Sequence, residues 1–190
     1  MIERALYDLY AALTAASLPC MVGGSVGAML HGEPRATMDI DVVVDAHPAD
    51  AERLQKSLDR NGWYVPPVEV IRHELAKGSR GSFNVIDPES GLKLDCYPAG
   101  TDPLIRWALE RRVPMAIGGQ PVQVAPVEYL IVMKLRYHAM SGQDKHLRDV
   151  TALLAHAAPD LDTVRAWCAT FGVTGSLAAC MPMPRPGLPP

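Results

Sequence analysis

Nothing in this 190-residue chain approaches the roughly 20 consecutive apolar residues that a membrane-spanning helix needs. The nearest imitation of a targeting segment, Ala11 to Cys20, is preceded by Glu3 and Asp8 where a signal peptide would be basic, and its apolar residues interleave with polar ones at helical spacing. An amphipathic first helix and a cytoplasmic protein are therefore expected, with no membrane partner. Cysteine is scarce: Cys20, Cys96, Cys168 and Cys180 stand far apart with no C-x-x-C pair, which argues against a zinc knuckle and a disulfide framework. The six histidines lack the H-E-x-x-H spacing of a zinc protease. An excess of positive charge is missing too, and a net charge of -3 argues against a surface coated uniformly for nucleic acid. No internal repeat is visible. The rest of the composition, 48% hydrophobic and 21% charged, is that of a globular protein large enough for a sizeable core.

Against this background one constellation stands out. Val22-Gly23-Gly24-Ser25 is followed, after thirteen residues, by Asp39-Ile40-Asp41-Val42. In a strand, side chains alternate faces, so Asp39 and Asp41 point the same way with Cα atoms roughly 6.5 to 7 Å apart. Two carboxylates so placed suit shared ligation of a pair of Mg²⁺ or Mn²⁺ ions about 3.5 to 4 Å apart, which aligns a nucleoside triphosphate for in-line attack. The glycines approach the same chemistry from the phosphate side. Cys20-Met21-Val22 reads as a short buried strand and Ser25 to His31 as a helix, so Gly23 and Gly24 form the turn between them. Such a turn aims backbone N–H groups and the Ser25 hydroxyl at an anion. Glycine turns usually only cap helices; the coupling to a D-x-D strand makes this one specific.

Along the chain, Ile2 to Ser17 is expected as an amphipathic helix ended by Pro19, and Pro48 to about Asn61 as a further helix. Val68 to Arg72 reads as a strand, and Ser82 to Ile86 and Leu92 to Tyr97 as two strands joined by the turn residues 87 to 91. A short helix from Pro103 and a hairpin around Gly118-Gly119 follow. From Pro126 the pattern is helical over 127–140, 144–156 and 160–171. The fold class is α/β (α+β), a mixed sheet with C-terminal helices, organised as a core over 1–125, a helical part over 126–175 and a proline-rich, disordered tail over 176–190.

Further residues join the candidate site. Asp95 lies in the apolar strand Leu92-Lys93-Leu94-Asp95-Cys96-Tyr97, where a lone carboxylate is costly unless paired or bound to metal. It reads as a third metal ligand, able to help activate an attacking hydroxyl; the plainer alternative is a partner for Lys93 or an arginine. Arg35 and Thr37 precede Asp39 at period-2 spacing and would share its face, placing Arg35 against phosphate or acceptor. Lys134 sits mid-helix in a very apolar stretch, either snorkelling or neutralising a triphosphate, with Arg136 nearby as a second nucleotide contact. Asp144 is accounted for as a helix cap, and Asp149 would orient Lys134 through a salt bridge. From Leu104 to Val150 seven basic residues face four acidic ones, a local bias open to two readings: a solvated helical face or an RNA contact.

These residues resemble the nucleotidyltransferase superfamily typified by DNA polymerase β, whose signature of Gly, Gly or Ser, a spacer, then Asp, an apolar residue and Asp is met by Gly24-Ser25 and Asp39-Ile40-Asp41. Within it, the strings G-G-S…E-P-R-A-T-M-D-I-D and P-V-E-Y-L-I-V-M-K-L…K-H-L-R-D-V-T-A-L-L resemble the AbiEii/AbiGii-type and MenT-like toxins over about residues 20 to 156. The resemblance implies that Lys134 is the triphosphate-binding lysine and that Asp149, in competition with Asp144, is the later functional acid. It implies NMP transfer from an NTP to an RNA end, that of tRNA, and a cognate antitoxin. Two other classes stay open: transfer to a small molecule such as an aminoglycoside or to a protein hydroxyl, and a non-catalytic relative.

Overall fold

The computed structural model describes residues 2–32, 39–59, 62–117 and 119–181. The described chain falls into two compact units, the first running to Pro126 and the second from Val127, with His31 and Gly32 grouped with the second. The first opens with α1 (Ile2–Ala15), which presents Leu6, Leu9, Ala12 and Leu13 to the core at helical spacing. Strand β1 (Cys20–Val22) follows, then α2 (Gly24–His31), β2 (Asp39–Val44), α3 (Ala51–Asp59), α4 (Val68–Ala76), β3 (Phe83–Ile86), β4 (Lys93–Pro98), α5 (Pro103–Glu110), β5 (Val113–Ile117) and β6 (Gln120–Val124).

Among the described residues these strands form one mixed sheet in the order β3-β4-β2-β1-β6-β5. Strand β2 runs parallel to β4 and antiparallel to β1, and β1 runs parallel to β6. Alternation along the central strands divides the residues between two faces. Ile40, Val42 and Val44 of β2, Leu94 and Cys96 of β4, and Phe83 and Val85 of β3 join one apolar cluster with α1, Leu54 and Leu58 of α3, and Ile71 and Leu75 of α4. The intervening residues Asp39, Asp41, Lys93 and Asp95 therefore belong to the opposite face. The α/β class expected from the sequence is the one observed.

Three local expectations are corrected. Residues 68–72 are not a strand but the start of α4: Pro67 supplies a fixed φ at the helix entrance, and Ile71 and Leu75, four apart, are buried together. Three β-branched residues, Val68, Val70 and Ile71, imitate a strand over that short window. Residues 176–180, expected in the tail, belong instead to α9 (Thr174–Cys180), which is held by buried Leu177 and Cys180; residues 182–190 lie outside the described ones. Asp144 does occupy the N-cap position of α7 (Lys145–His156), yet its side chain makes no capping hydrogen bond.

The second unit is helical: α6 (Val127–Ser141), α7, α8 (Leu161–Thr170) and α9. Helix α8 has the cap that α7 lacks, the Asp160 carboxylate accepting from the N–H groups of Asp162 and Thr163. In α6, Leu130, Ile131, Val132 and Leu135 are all buried, so the helix is apolar over most of its circumference.

Leu94→Ala is expected to destabilise the sheet unit by about 2 to 5 kcal/mol, the cost of a cavity beneath a fully buried leucine. Urea denaturation measures this, and a loss under about 1 kcal/mol would show that Leu94 is not part of a tightly packed layer.

Candidate active site

The register between β2 and β4 builds the site. Asp39 lies opposite Lys93, and Asp41 lies opposite Asp95, on adjacent parallel strands. Residues opposite one another share a face, so three carboxylates and one ammonium group are gathered at one end of the sheet. Asn84 of β3 is in register with Asp95 and extends this row. Burial grades along it: the Asp39 side chain is 61% exposed and that of Asp95 only 14%.

On the other flank of β2 the glycine turn closes against Asp41. The Gly23 N–H donates to the Asp41 carbonyl at 2.8 Å, and the Gly27 N–H donates to the Gly23 carbonyl at 2.7 Å, which starts α2 beside the strand. Gly24 has φ +55°, and a Cβ built on it would lie 1.7 Å from Asp41 Oδ2. Glycine is thus required twice over, for the left-handed backbone and for the space that the carboxylate fills. The closeness also sets the Asp41 carboxylate at the N-terminus of α2, the end whose partial positive charge favours an anion.

Among the described residues, Lys93 brings a cation to this face. Its Nζ is 3.1 Å from Asp95 Oδ1 and 3.9 Å from Asp39 Oδ1. The close ion-pair contact and charge of Asp95, with smaller contributions from Asp39 and Asp41, raise the Lys93 pKa above the usual lysine range. Asp95 Oδ1 is buried, and its contact with Lys93 is an ion pair without the angles of a hydrogen bond.

Among the described residues no three His, Cys, Asp or Glu side chains converge as a ready-made metal cage. The donors nonetheless fit a hard divalent ion. Mg²⁺ and Mn²⁺ take carboxylate oxygens, keep several waters and are completed by substrate phosphates rather than by an all-protein cage. A buried oxygen lacking a hydrogen bond at Asp95, and the carboxylate of Asp41 seated beside Gly24, leave oxygen ligands for such an ion on adjacent strands.

Within the helical unit, Lys134 of α6 is buried, with only 5% of its surface exposed. Its Nζ donates to Asp149 Oδ2 of α7 at 2.5 Å, and that carboxylate is itself only 11% exposed. Asp149, not the cap-position residue Asp144, is the acid that Lys134 meets. The Arg136 guanidinium lies 4.1 Å over the Phe171 ring, a cation–π contact at the end of α8. His146, which sequence spacing gave no reason to single out, lies tilted against the Tyr137 ring, centroids 5.8 Å apart, with a buried Nδ1 that has no hydrogen-bond partner. Burial, then the charge of Lys134, lowers its pKa, so the imidazole is neutral at neutral pH. Arg35 and Thr37 lie outside the described residues. The cysteines contribute no reactive thiolate: burial pushes Cys20 up to about 12 and raises Cys96 further.

Residues 4–179 match the family described as the nucleotidyl transferase AbiEii toxin of type IV toxin–antitoxin systems. No curated protein matches the chain. Among solved structures it is similar to the antibiotic-resistance factor ANT(2'')-Ia in solution, at 17% identity and a TM-score of 0.63, with 93% of this chain and 94% of that one covered. The same factor in complex with adenylyl-2''-tobramycin gives 19% identity and a TM-score of 0.56, covering 94% and 95%. An antigenic nucleotidyltransferase-like protein from Paracoccidioides brasiliensis gives 15% and 0.53, covering 93% and 92%. At these identities the likeness is one of fold.

Two outcomes follow from the geometry. Gly24→Ala should destabilise the sheet unit by more than about 1 kcal/mol and displace Asp41, because the new methyl group meets both a disfavoured φ and a carboxylate oxygen; an unchanged melting temperature would refute the close approach. Lys134→Met should cost about 3 to 5 kcal/mol by leaving Asp149 buried without its cation, while adding Asp149→Leu should recover most of that loss. A double variant no more stable than the single one would mean that the pair does not act as a unit.

Proposed function

Since this chain belongs to the AbiEii nucleotidyltransferase toxin family, we propose that it transfers an NMP from an NTP to a hydroxyl group using Asp39, Asp41 and Asp95 as oxygen ligands for Mg²⁺ or Mn²⁺. The observation that carries the reading is the register pairing of Asp41 with Asp95, flanked by the Gly23-Gly24 turn on one side and Asp39 on the other. In the transfer, the acceptor oxygen forms a bond to the α-phosphorus, the bond from that phosphorus to the β-phosphate bridge breaks, and pyrophosphate leaves. Divalent ions bound there supply charge neutralisation for the triphosphate and for the developing negative charge. In this reading Asp95, whose side chain is far less exposed than that of Asp39, orients the acceptor hydroxyl and receives its proton. The N–H groups at Gly24 and Ser25, with the positive end of α2, receive the terminal phosphates. In the helical unit, Lys134, held by Asp149, is by the family resemblance the cation proposed for phosphate, with Arg136 as an accessory contact.

The acceptor we favour is an RNA end, of tRNA in particular, in keeping with a toxin whose action a cognate antitoxin would counter. A second reading, transfer to a small molecule, is favoured by one observation: one of the solved structures of similar fold is a complex with adenylyl-2''-tobramycin. Incubation of the protein with each labelled NTP, Mg²⁺, and either total tRNA or tobramycin separates the two. Label is expected in RNA, falling steeply with salt as released counterions weaken backbone contacts; label only in the aminoglycoside would establish the second reading. Asp41→Asn and Asp95→Asn should each lower transfer by at least about a hundredfold with circular dichroism unchanged. Undiminished transfer in both would sink the carboxylate mechanism.

A further inference from the structure

We propose that Lys93 is a resident counter-ion of the carboxylate face, which a divalent ion must displace from Asp95, so that this lysine sets the affinity of the free protein for metal. The inference rests on the metal-dependent reading above and assigns a positioning role to a residue outside the D-x-D signature. Lys93 and Asp95 are two apart on β4 and so project from the same face, while the parallel register sets Lys93 directly opposite Asp39. The ammonium group lies 3.1 Å from Asp95 Oδ1 and 3.9 Å from Asp39 Oδ1. It thereby stands against a buried carboxylate oxygen that has no hydrogen-bond partner, an oxygen a divalent ion could ligate only by displacing the ammonium group.

Electrostatics explains why a cation stands there. The row Asp39, Asp41 and Asp95 concentrates negative charge on adjacent strands, and like charges opposite one another destabilise a sheet. Lys93 offsets that repulsion while the site awaits its substrate. Its side chain is 41% exposed on a flexible four-carbon stem, so it can leave for solvent or for a substrate phosphate without a backbone shift. Bare metal must compete with this tethered ammonium group. Metal arriving with a triphosphate brings an anion to which Lys93 can move. The arrangement favours entry of ion and nucleotide together over entry of the ion alone.

The test is Mn²⁺ binding to the nucleotide-free protein, read from the electron paramagnetic resonance signal of unbound Mn²⁺. Lys93→Gln should bind Mn²⁺ about tenfold more tightly than the parent, the scale expected for removing a unit charge a few ångströms from the ion in a partly solvated site. Lys93→Arg, which keeps the charge, should stay near the parent affinity, and Lys93→Gln with Asp95→Asn should lose the gain. A second readout guards against misfolding: the rise in melting temperature from EDTA to Mn²⁺ should be larger in Lys93→Gln than in the parent. Equal or weaker Mn²⁺ binding by Lys93→Gln, in a protein whose affinity still falls with Asp41→Asn, would overturn the role of Lys93 and leave the metal site standing. Failure of Asp41→Asn and Asp95→Asn to alter Mn²⁺ binding in either background would overturn the metal reading itself, and this proposal with it.

Discussion

The pairing of β2 with β4 in a single register is the constraint on which the site depends. It sets Asp41 against Asp95 and Asp39 against Lys93. A slip of one residue would exchange the faces of the whole strand, sending the aspartates into the apolar layer and Ile40 and Val42 into solvent. The register is therefore enforced from the other face. Ile40, Val42, Leu94 and Cys96 are each buried almost completely under α1, α3 and α4, and each large aliphatic side chain contributes about 1.5 to 3 kcal/mol by its burial. Hydrophobic packing on one side of the sheet thus holds like charges together on the other.

Gly24 shows how little slack remains. Asp41 is at once a residue of β2, an acceptor through its carbonyl for the Gly23 N–H, and a carboxylate lying where a Gly24 side chain would be. The turn that exposes N–H groups to an anion and the strand that offers carboxylates to a cation are locked together by that contact. Placing charged groups before any ligand arrives avoids reorganisation during reaction, the condition under which electrostatic stabilisation is most effective.

Much of this was legible in the sequence. The alternation of Asp39 with Ile40 and Asp41 with Val42 announces a strand with one apolar face, and the glycine pair announces a turn. What the sequence could not state is which strand lies next to β2. The neighbour of Asp41 across the sheet is more than fifty residues away in the chain, and its identity follows from the crossover through α3 and α4 and the hairpin of β3 and β4. Asp95 was recognisable as a costly carboxylate in an apolar run, whereas Asn84 and the bridging position of Lys93 emerge only from register. The misreading of Val68 to Arg72 has a related cause. Over five residues, β-branched side chains and a four-residue repeat are both satisfied, and the helix is decided by Pro67 and by the burial of Ile71 with Leu75. The pairing of Lys134 with Asp149 is an intermediate case: a lysine inside an apolar helix requires a partner, but local spacing alone leaves Asp144 and Asp149 open.

The acceptor is the part that the carboxylate face cannot decide, since a sheet of this type is also found in a protein crystallised with an adenylylated aminoglycoside. A distance supplies the relevant argument. Arg106 of α5 is bound through its guanidinium to Asp45, 2.5 Å away, and Asp45 follows the last residue of β2. In the proposed reaction the acceptor hydroxyl meets Asp95, which is in register with Asp41, and four steps of extended chain, about 13 Å, separate Asp41 from Asp45. An acceptor that reacts there and also touches Arg106 must reach that far along β2. A polynucleotide meets that demand over a few nucleotides, whereas a small acceptor meets it only when fully extended, so a compact small molecule would have to be chosen by residues close to Asp41 and Asp95.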